Sequence, residues 1–353
     1  MSFRSPRHRA LPRTSAHHTR SSTPWSVLLL VPLLALVLAV PEAAAQENDE
    51  RHDTNILFPV DYILERLNAP ELVVSEMDRA RPIEEDRSRR VTLTGRDGEP
   101  DMEVHWKPVS PPGDGFNNEP RYELAAWKFQ RMFLDEPDYV VPPTVLRAMP
   151  LEEYDEMRRL TTVSRPTIRG TNSRLFLLSY WVQNLAVDTV DPFDPGLFEF
   201  DETYARHFAN TNVLTHLIDH KDGNHGNVIV SMDPMNRRVF AVDNDVAFRS
   251  QESDLGDRWR RLHVDRIPAQ TVERLRSITR EDLQRELGVV AEFEIVDGYL
   301  VPVEPGPNLR ANRGVRTEGN RVQFGLTEGE IRDVERNIER LLRDVDRGRI
   351  GTF

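Results

Sequence analysis

Cysteine is absent from the whole of the 353-residue chain. Disulfides are thereby excluded, and so is the lipid-attachment cysteine of a bacterial lipoprotein. Acidic residues are missing from the start of the chain: residues 1–24 carry Arg4, Arg7, Arg9, Arg13 and Arg20 and no carboxylate. An apolar run from Val27 to Val40 follows, broken only by Pro32, and then Pro41 and Ala43-Ala44-Ala45 ahead of Gln46. A basic lead, an apolar stretch short for a bilayer crossing and small residues at its end form a secretory signal over residues 1–45, cleaved near Ala45, with an uncleaved signal anchor as the alternative. Either way the remainder is expected outside the cytoplasm, secreted or periplasmic, and the cleaved chain has no stable membrane insertion.

A basic surplus is also lacking. Lys and Arg number 46 against 58 Asp and Glu, a net charge of −12, and without residues 1–45 the balance is 41 against 57, or −16. Such a surface repels phosphate backbones and anionic lipid, so nucleic acid and anionic membranes are excluded as partners. No repeat of fixed period is present. Enough chain remains beyond Ala45 to bury one large core or two closely packed lobes.

Residues 46–54 read as a charged linker, with folded structure starting near Asn55. Ile63 and Leu67 share one side of a helix over residues 60–67. Residues 90–94 are strand-like, Gly95-Arg-Asp-Gly98 is a turn, and Met102 to Trp106 alternates again, which predicts a hairpin. Lys107 follows it directly. After the loop 110–120, the segment 122–133 carries Leu124, Ala125, Trp127, Phe129 and Met132, a mostly buried helix. Residues 175–182 have the apolar and aromatic content of a core strand. The segment 201–217 reads as a helix, the chain past Phe248 as mostly helical, and Thr327-Glu-Gly-Glu330 as a capping box ahead of a closing helix. With strands concentrated in residues 73–182 and helices after 200, the expected class is α+β in two lobes, a β-rich lobe over 55–180 and a mainly helical lobe over 181–353.

Phosphoryl transfer needs metal ions, a cation on the nucleotide phosphates and a carboxylate that orients the acceptor hydroxyl. In kinases these parts follow a fixed order: a strand lysine, a helix glutamate, His-Arg-Asp-x-x-x-x-Asn, then a metal-binding aspartate. Here His220-Lys221-Asp222-Gly-Asn-His-Gly-Asn227 sets Asp222 and Asn227 five apart, with Lys in place of Arg. Residues 228–230, a turn through Asp233-Pro234 and residues 239–242 form a second hairpin that delivers Asp243. Upstream, Lys107 ends a strand and Glu123 lies sixteen residues on in a helix, so the two are expected to meet as an ion pair. A single Lys or Glu is ordinarily a solvated surface charge; the order and context single these two out.

Asp222-Gly-Asn-His-Gly-Asn227 with Val242-Asp243-Asn244 resembles the Asp-Arg-His-x-x-Asn and later Asp-Asn-Gly or Asp-Phe-Gly loops of the atypical kinases. That group includes the secretory-pathway kinases of the Golgi casein kinase type and the phosphatidylinositol kinases. Trp106-Lys107-Pro108, Glu123-Leu-Ala-Ala126 and Val141-Pro-Pro-Thr-Val145 are similar to segments of the same group, and the resemblance covers residues 60–250. It implies a two-lobed protein-kinase-like fold that uses ATP with Mg²⁺ or Mn²⁺. Lys107 would lie on the phosphates with Glu123 as its partner, Asp222 would be the catalytic base, and Asn227 and Asp243 would be metal ligands. Residues 177–181 would lead into the segment that receives adenine. The acceptor is a hydroxyl on protein, glycan or lipid, and adenylyl transfer is a further possibility.

Two features depart from the pattern. Residues 81–89 hold no glycine where relatives close a Gly-rich loop over the phosphates. Asp245 stands where the loop usually ends in glycine; it is read as a cap on the following segment, with a second metal site as the alternative. A catalytically inactive kinase-like binding protein is the competing reading. His216 and His220 have the i, i+4 spacing of zinc ligands, but Leu217 occupies the position of the catalytic Glu and no third ligand is indicated. His220 is expected to buttress the loop and His225 to be exposed. Asp219, Lys221 and Gly223 do not match a calcium loop.

Overall fold

The computed structural model describes residues 53–79, 88–96, 98–110, 119–160, 163–186, 191–223, 226–250 and 261–353. The expected signal over 1–45, most of the linker, the glycine-free stretch up to Asp86 and the exposed His225 lie outside the described residues.

Asp53 and Thr54, assigned above to the linker, are engaged by the fold. Asp53 accepts from the Asn55 amide at 2.8 Å and pairs with Arg238, and the Thr54 hydroxyl donates to Asp233 at 2.9 Å. Helix α1 (Val60–Asn68) then buries Ile63 and Leu67, the face its spacing predicts. Three strands follow: β1 (Val74–Arg79), β2 (Arg89–Leu93) and β3 (Met102–Pro108). The hairpin read in the sequence is β2 and β3, with Arg90 opposite His105. Its apolar positions Val91, Leu93, Met102, Val104 and Trp106 are all buried, as strict alternation requires when one face meets a core. Helix α2 (Pro120–Gln130) has proline in its first turn, where no amide partner is lost, and nearly every side chain is buried.

Strand β4 (Thr144–Pro150), helix α3 (Leu151–Met157) and strand β5 (Ser173–Tyr180) complete a five-stranded antiparallel sheet in the order β1-β2-β3-β5-β4. All eight residues of β5 are buried, which explains a continuous apolar run with no alternation. Trp106 of β3 stacks on Phe176 of β5 with ring centres 4.0 Å apart. Lys107 sits opposite Leu177 on the same pair of strands.

Next come β6 (Leu185–Ala186), α4 (Pro195–Phe200) and α5 (Glu202–Leu217), whose first turn is capped by Asp201 accepting from the Tyr204 amide at 2.9 Å. Strands β7 (Val228–Ser231) and β8 (Val239–Ala241) form the second hairpin and join β6 in a three-stranded sheet. The C-terminal part comprises β9 (Arg266–Ile267), α6 (Ala269–Ser277), α7 (Arg280–Leu287), β10 (Ala291–Val296), β11 (Tyr299–Val303), β12 (Val315–Glu318), β13 (Arg321–Phe324), α8 (Glu328–Asp346) and β14 (Gly351–Thr352).

The mostly helical expectation past Phe248 is therefore corrected: β10 to β13 form a four-stranded antiparallel sheet ordered β11-β10-β13-β12. Polar residues inside that sheet hid its period. Glu292 is buried and accepts from Gln323 at 2.9 Å, and also pairs with Arg321. The overlooked signal was Asp297-Gly298, both at positive φ (52° and 86°), the dipeptide suited to a two-residue hairpin turn. The molecule is a mixed α+β structure whose sheets are antiparallel apart from the two-residue pairing of β9 with β14.

Candidate functional site

The end of β3, the middle of α2, the loop after α5 and the exit of β8 meet at one cluster of charge. Lys107 is carried past the last buried position of β3, where the apolar face ends and an ammonium keeps some solvent. Its Nζ lies 2.5 Å from Asp243 Oδ1 and 2.5 Å from Asp245 Oδ2. Burial disfavours the charged ammonium, but the two carboxylates outweigh it and raise its pKa.

The expected pairing of Lys107 with Glu123 is not the one formed. Glu123 is buried, and its Oε1 accepts a long hydrogen bond of 3.5 Å from Asn244 Nδ2. Burial first, then the charges of Asp245 and Asp243, push the Glu123 carboxyl up to about 8, against the opposing pull of Lys107. With two aspartates already on the lysine, a third full negative charge at this depth is unfavourable, so Glu123 holds its proton at neutral pH. Asp245 is likewise not a cap. Its side chain is buried against Lys107, and its backbone carbonyl accepts from the Glu119 amide at 3.0 Å, tying the β8 exit to the start of α2.

Asp243 directly follows the strand hairpin and has φ of 59°, the left-handed region that aspartate enters more readily than most residues. That turn brings Asp243 and Asp245 to the same ammonium. Asn227 is tied to both neighbouring segments. Its carbonyl accepts from the Val242 amide at 2.8 Å, and its Nδ2 donates to the Asp222 carbonyl at 2.7 Å and to Asp222 Oδ2 at 3.3 Å. The five-residue spacing of Asp222 and Asn227 is thus closed by a side-chain contact. Lys221 donates its amide to Val246 at 2.8 Å and its Nζ to the Ser250 carbonyl at 2.8 Å, so the Asp222 loop is pinned to the segment after Asp245.

His220 is buried in this loop, with its amide on the Thr215 carbonyl at 2.9 Å. Burial lowers its pKa to about 4, although the nearby Asp243 charge acts in the other direction. His216 lies at the end of α5 and is half-buried. Among the described residues no group of three His, Asp or Glu side chains is arranged to hold a metal ion, so the zinc reading gains nothing. A divalent ion bound by Asn227 and Asp243 is a different arrangement. Hard oxygen donors suit Mg²⁺ or Mn²⁺, and Asp245 Oδ1 is buried beside them with no hydrogen-bond partner among the described residues. These residues therefore fit such an ion. Asp245 as the carboxylate on Lys107 is the residue that sequence reasoning missed; spacing alone cannot tell which of three acids will meet one lysine.

Comparison with known proteins returns no family model that matches the chain and no matching curated protein.

Proposed function

We propose that the chain is an exported kinase-like phosphotransferase, with the β1–β5 sheet and α2 as the smaller lobe and the remainder as the larger lobe of a two-lobed fold. The observation that carries this reading is the meeting of Lys107, Asp243 and Asp245 within 2.5 Å beside the Asn227–Asp222 contact. Three separated segments of the sequence, at residues 107, 222–227 and 243–245, supply these groups in the order that kinase chemistry requires.

In this reading Lys107 exchanges one of its two carboxylates for phosphate oxygens of ATP, and Asp245 keeps the ammonium aimed. Asn227 and Asp243 would hold Mg²⁺ or Mn²⁺, which when bound offsets negative charge on the phosphates. Asp222 orients the acceptor hydroxyl, fixed in place by Asn227 Nδ2. The hydroxyl oxygen bonds to the γ-phosphorus as the bond to the bridging oxygen breaks; the hydroxyl proton passes to Asp222 and ADP leaves. The acceptor class remains a hydroxyl of protein, glycan or lipid.

One observation favours the second reading, a catalytically inactive kinase-like protein that binds a partner or nucleotide: Lys107 is already neutralised by two aspartates, and Glu123 does not pair with it. Purified protein incubated with labelled ATP and Mg²⁺ or Mn²⁺ separates the two. Active enzyme transfers phosphate to an acceptor or to itself, Asp222→Ala loses transfer by about 100-fold or more while a nucleotide-induced thermal shift persists, and Asp243→Ala loses the metal-dependent part of that shift. A thermal shift with no transfer in the unsubstituted protein supports the binding reading, and neither signal overturns both transfer and nucleotide binding.

A further inference from the structure

A cavity of about 700 Å³ opens between the end of α5, the segment Phe248–Ser250 and the outer face of α8. Its walls carry Lys221, Arg249, Arg261, Arg336 and Arg340, five cations on a chain of net charge −12. Among the described residues three carboxylates, Asp219, Glu330 and Asp333, share these walls with them. Glu330 is already held by Arg121 through two contacts, at 2.7 and 2.9 Å. Asp333 is shared between Arg249 and Arg336, and Asp219 stands 3.6 Å from Lys221. Arg261 and Arg340 are exposed side chains on these walls.

A second observation concerns Arg249. A Cβ at Gly329 would fall 2.4 Å from its Nη1, so this guanidinium lies directly against the helix and would have to swing aside for a larger side chain. Gly329 is in the first turn of α8. Asp333, one turn further along α8, holds Arg249 on the cavity wall, with its side chain about half exposed (51 %).

Guanidinium groups present paired donors that match the oxygens of phosphate. A wet, arginine-lined cavity on an acidic protein selects for a compact polyanion over an apolar ligand. We propose that this cavity is a binding site for a phosphate-type polyanion, a pyrophosphate or phosphate-ester group, separate from the Lys107–Asp243 cluster. The inference does not rest on the kinase reading. Lys221 lies in the cavity wall and Asp222 is the next residue, so an occupant would also bear on the loop that holds Asp222.

The test is calorimetric titration of the full chain in EDTA, which removes the divalent ions a nucleotide site needs, with inorganic pyrophosphate in one arm and a blocked phosphoserine in the other. Binding is expected in at least one arm, and the arm that binds more tightly assigns a free or an esterified phosphate. The Arg261→Ala/Arg340→Ala double variant, at exposed positions where folding is undisturbed, should weaken it about tenfold or more, the effect of losing charge-assisted hydrogen bonds. Gly329→Ala, which shifts Arg249 without removing a charge, should weaken it by a smaller factor, and Lys107→Ala, which removes the cation of the other cluster, should leave it unchanged. Absence of binding at millimolar concentration in both arms, or binding that survives in the double arginine variant, overturns the proposal. Binding that disappears in Lys107→Ala would place the anion in the other cluster and overturn it as well.

Discussion

Two residues apart on α2, Arg121 and Glu123 enter buried charge clusters of opposite design. Arg121 meets two carboxylates: buried Glu330 of α8 accepts two guanidinium hydrogen bonds and one from the Tyr122 hydroxyl at 2.5 Å, and Glu119, more exposed, accepts from the Arg121 Nε at 3.1 Å. Only one of these acids, Glu330, is buried, so the buried cation has one buried acid. Glu123 instead faces Asp243 and Asp245 around the single ammonium of Lys107, and Asp245 Oδ1 is left without a partner among the described residues. The two glutamates are about equally buried, at 5 % and 3 % exposure, so burial cannot distinguish them. Partner count does. Arg121 overcomes the burial penalty and lowers the Glu330 pKa, whereas burial and two like charges raise that of Glu123 to about 8. A matched cluster holds structure together; an acid-rich one is suited to receiving a cation or a phosphate-bound metal.

The comparison is tested most severely at Glu330. Glu330→Ala would leave a guanidinium only 7 % exposed with the more exposed Glu119 as its one remaining carboxylate, and is expected to cost about 3 kcal/mol of unfolding free energy in urea denaturation. A cost below about 1 kcal/mol would show that Arg121 finds water or other acceptors, such as the Gly325 carbonyl it already touches at 3.2 Å, and the contrast between the clusters would collapse.

The second test is the pH dependence that Glu123 should impose. Its carboxyl titrates near 4.5 in the unfolded chain and near 8 in the fold, so between these values the folded state holds the extra proton. Stability from this group is fully present below about pH 4.5 and falls as pH rises towards 8, by up to about 1.4 kcal/mol per pH unit. His220 works in the opposite direction: its folded pKa of about 4 lies below the ordinary 6.5, so its contribution falls as pH drops through that window. The difference between the unsubstituted protein and Glu123→Gln isolates the glutamate. Glu123→Gln should flatten the decline between pH 6.5 and 8, read as urea midpoints. If the two profiles run parallel, Glu123 is ionised and is not governed by the aspartates.

Much of this arrangement was legible in the residue order, and the reason differs from part to part. Helices α1 and α8 and the β2–β3 and β7–β8 hairpins were readable because one apolar face or one turn signal dominates each, whereas α2 and α5, buried on nearly every side, show no such single face. The β10–β13 sheet was not, since Glu292 and Gln323 occupy inward positions and satisfy each other there. Asp222, Asn227 and Asp243 were legible through a spacing that a loop must respect. The identity of the acid on Lys107 was not, because Glu123, Asp243 and Asp245 differ only in three-dimensional reach. Nor was the arginine-lined cavity, whose cations come from residues 221 to 340 and gather only when α8 packs against the end of α5, where Asn337 donates to the Leu217 carbonyl at 2.9 Å.

The smallest expected effect separates the two tasks that Glu330 performs. Besides pairing with Arg121, its carboxylate accepts from the Thr327 amide at 2.7 Å while the Thr327 hydroxyl accepts from the Glu330 amide at 3.3 Å, a reciprocal cap on α8. Thr327→Ala removes the hydroxyl and leaves the ion pair intact, so it should cost about 1 kcal/mol. If the large effect at Glu330 comes from the stranded guanidinium, the threonine variant stays near that value. The double variant then costs less than the two single changes added together, because each residue's part in the cap is already lost when its partner is gone. A Thr327→Ala cost close to that of Glu330→Ala would instead mean that helix capping dominates at Glu330, and that the matched cluster owes its stability to α8 forming and not to the pairing of Arg121.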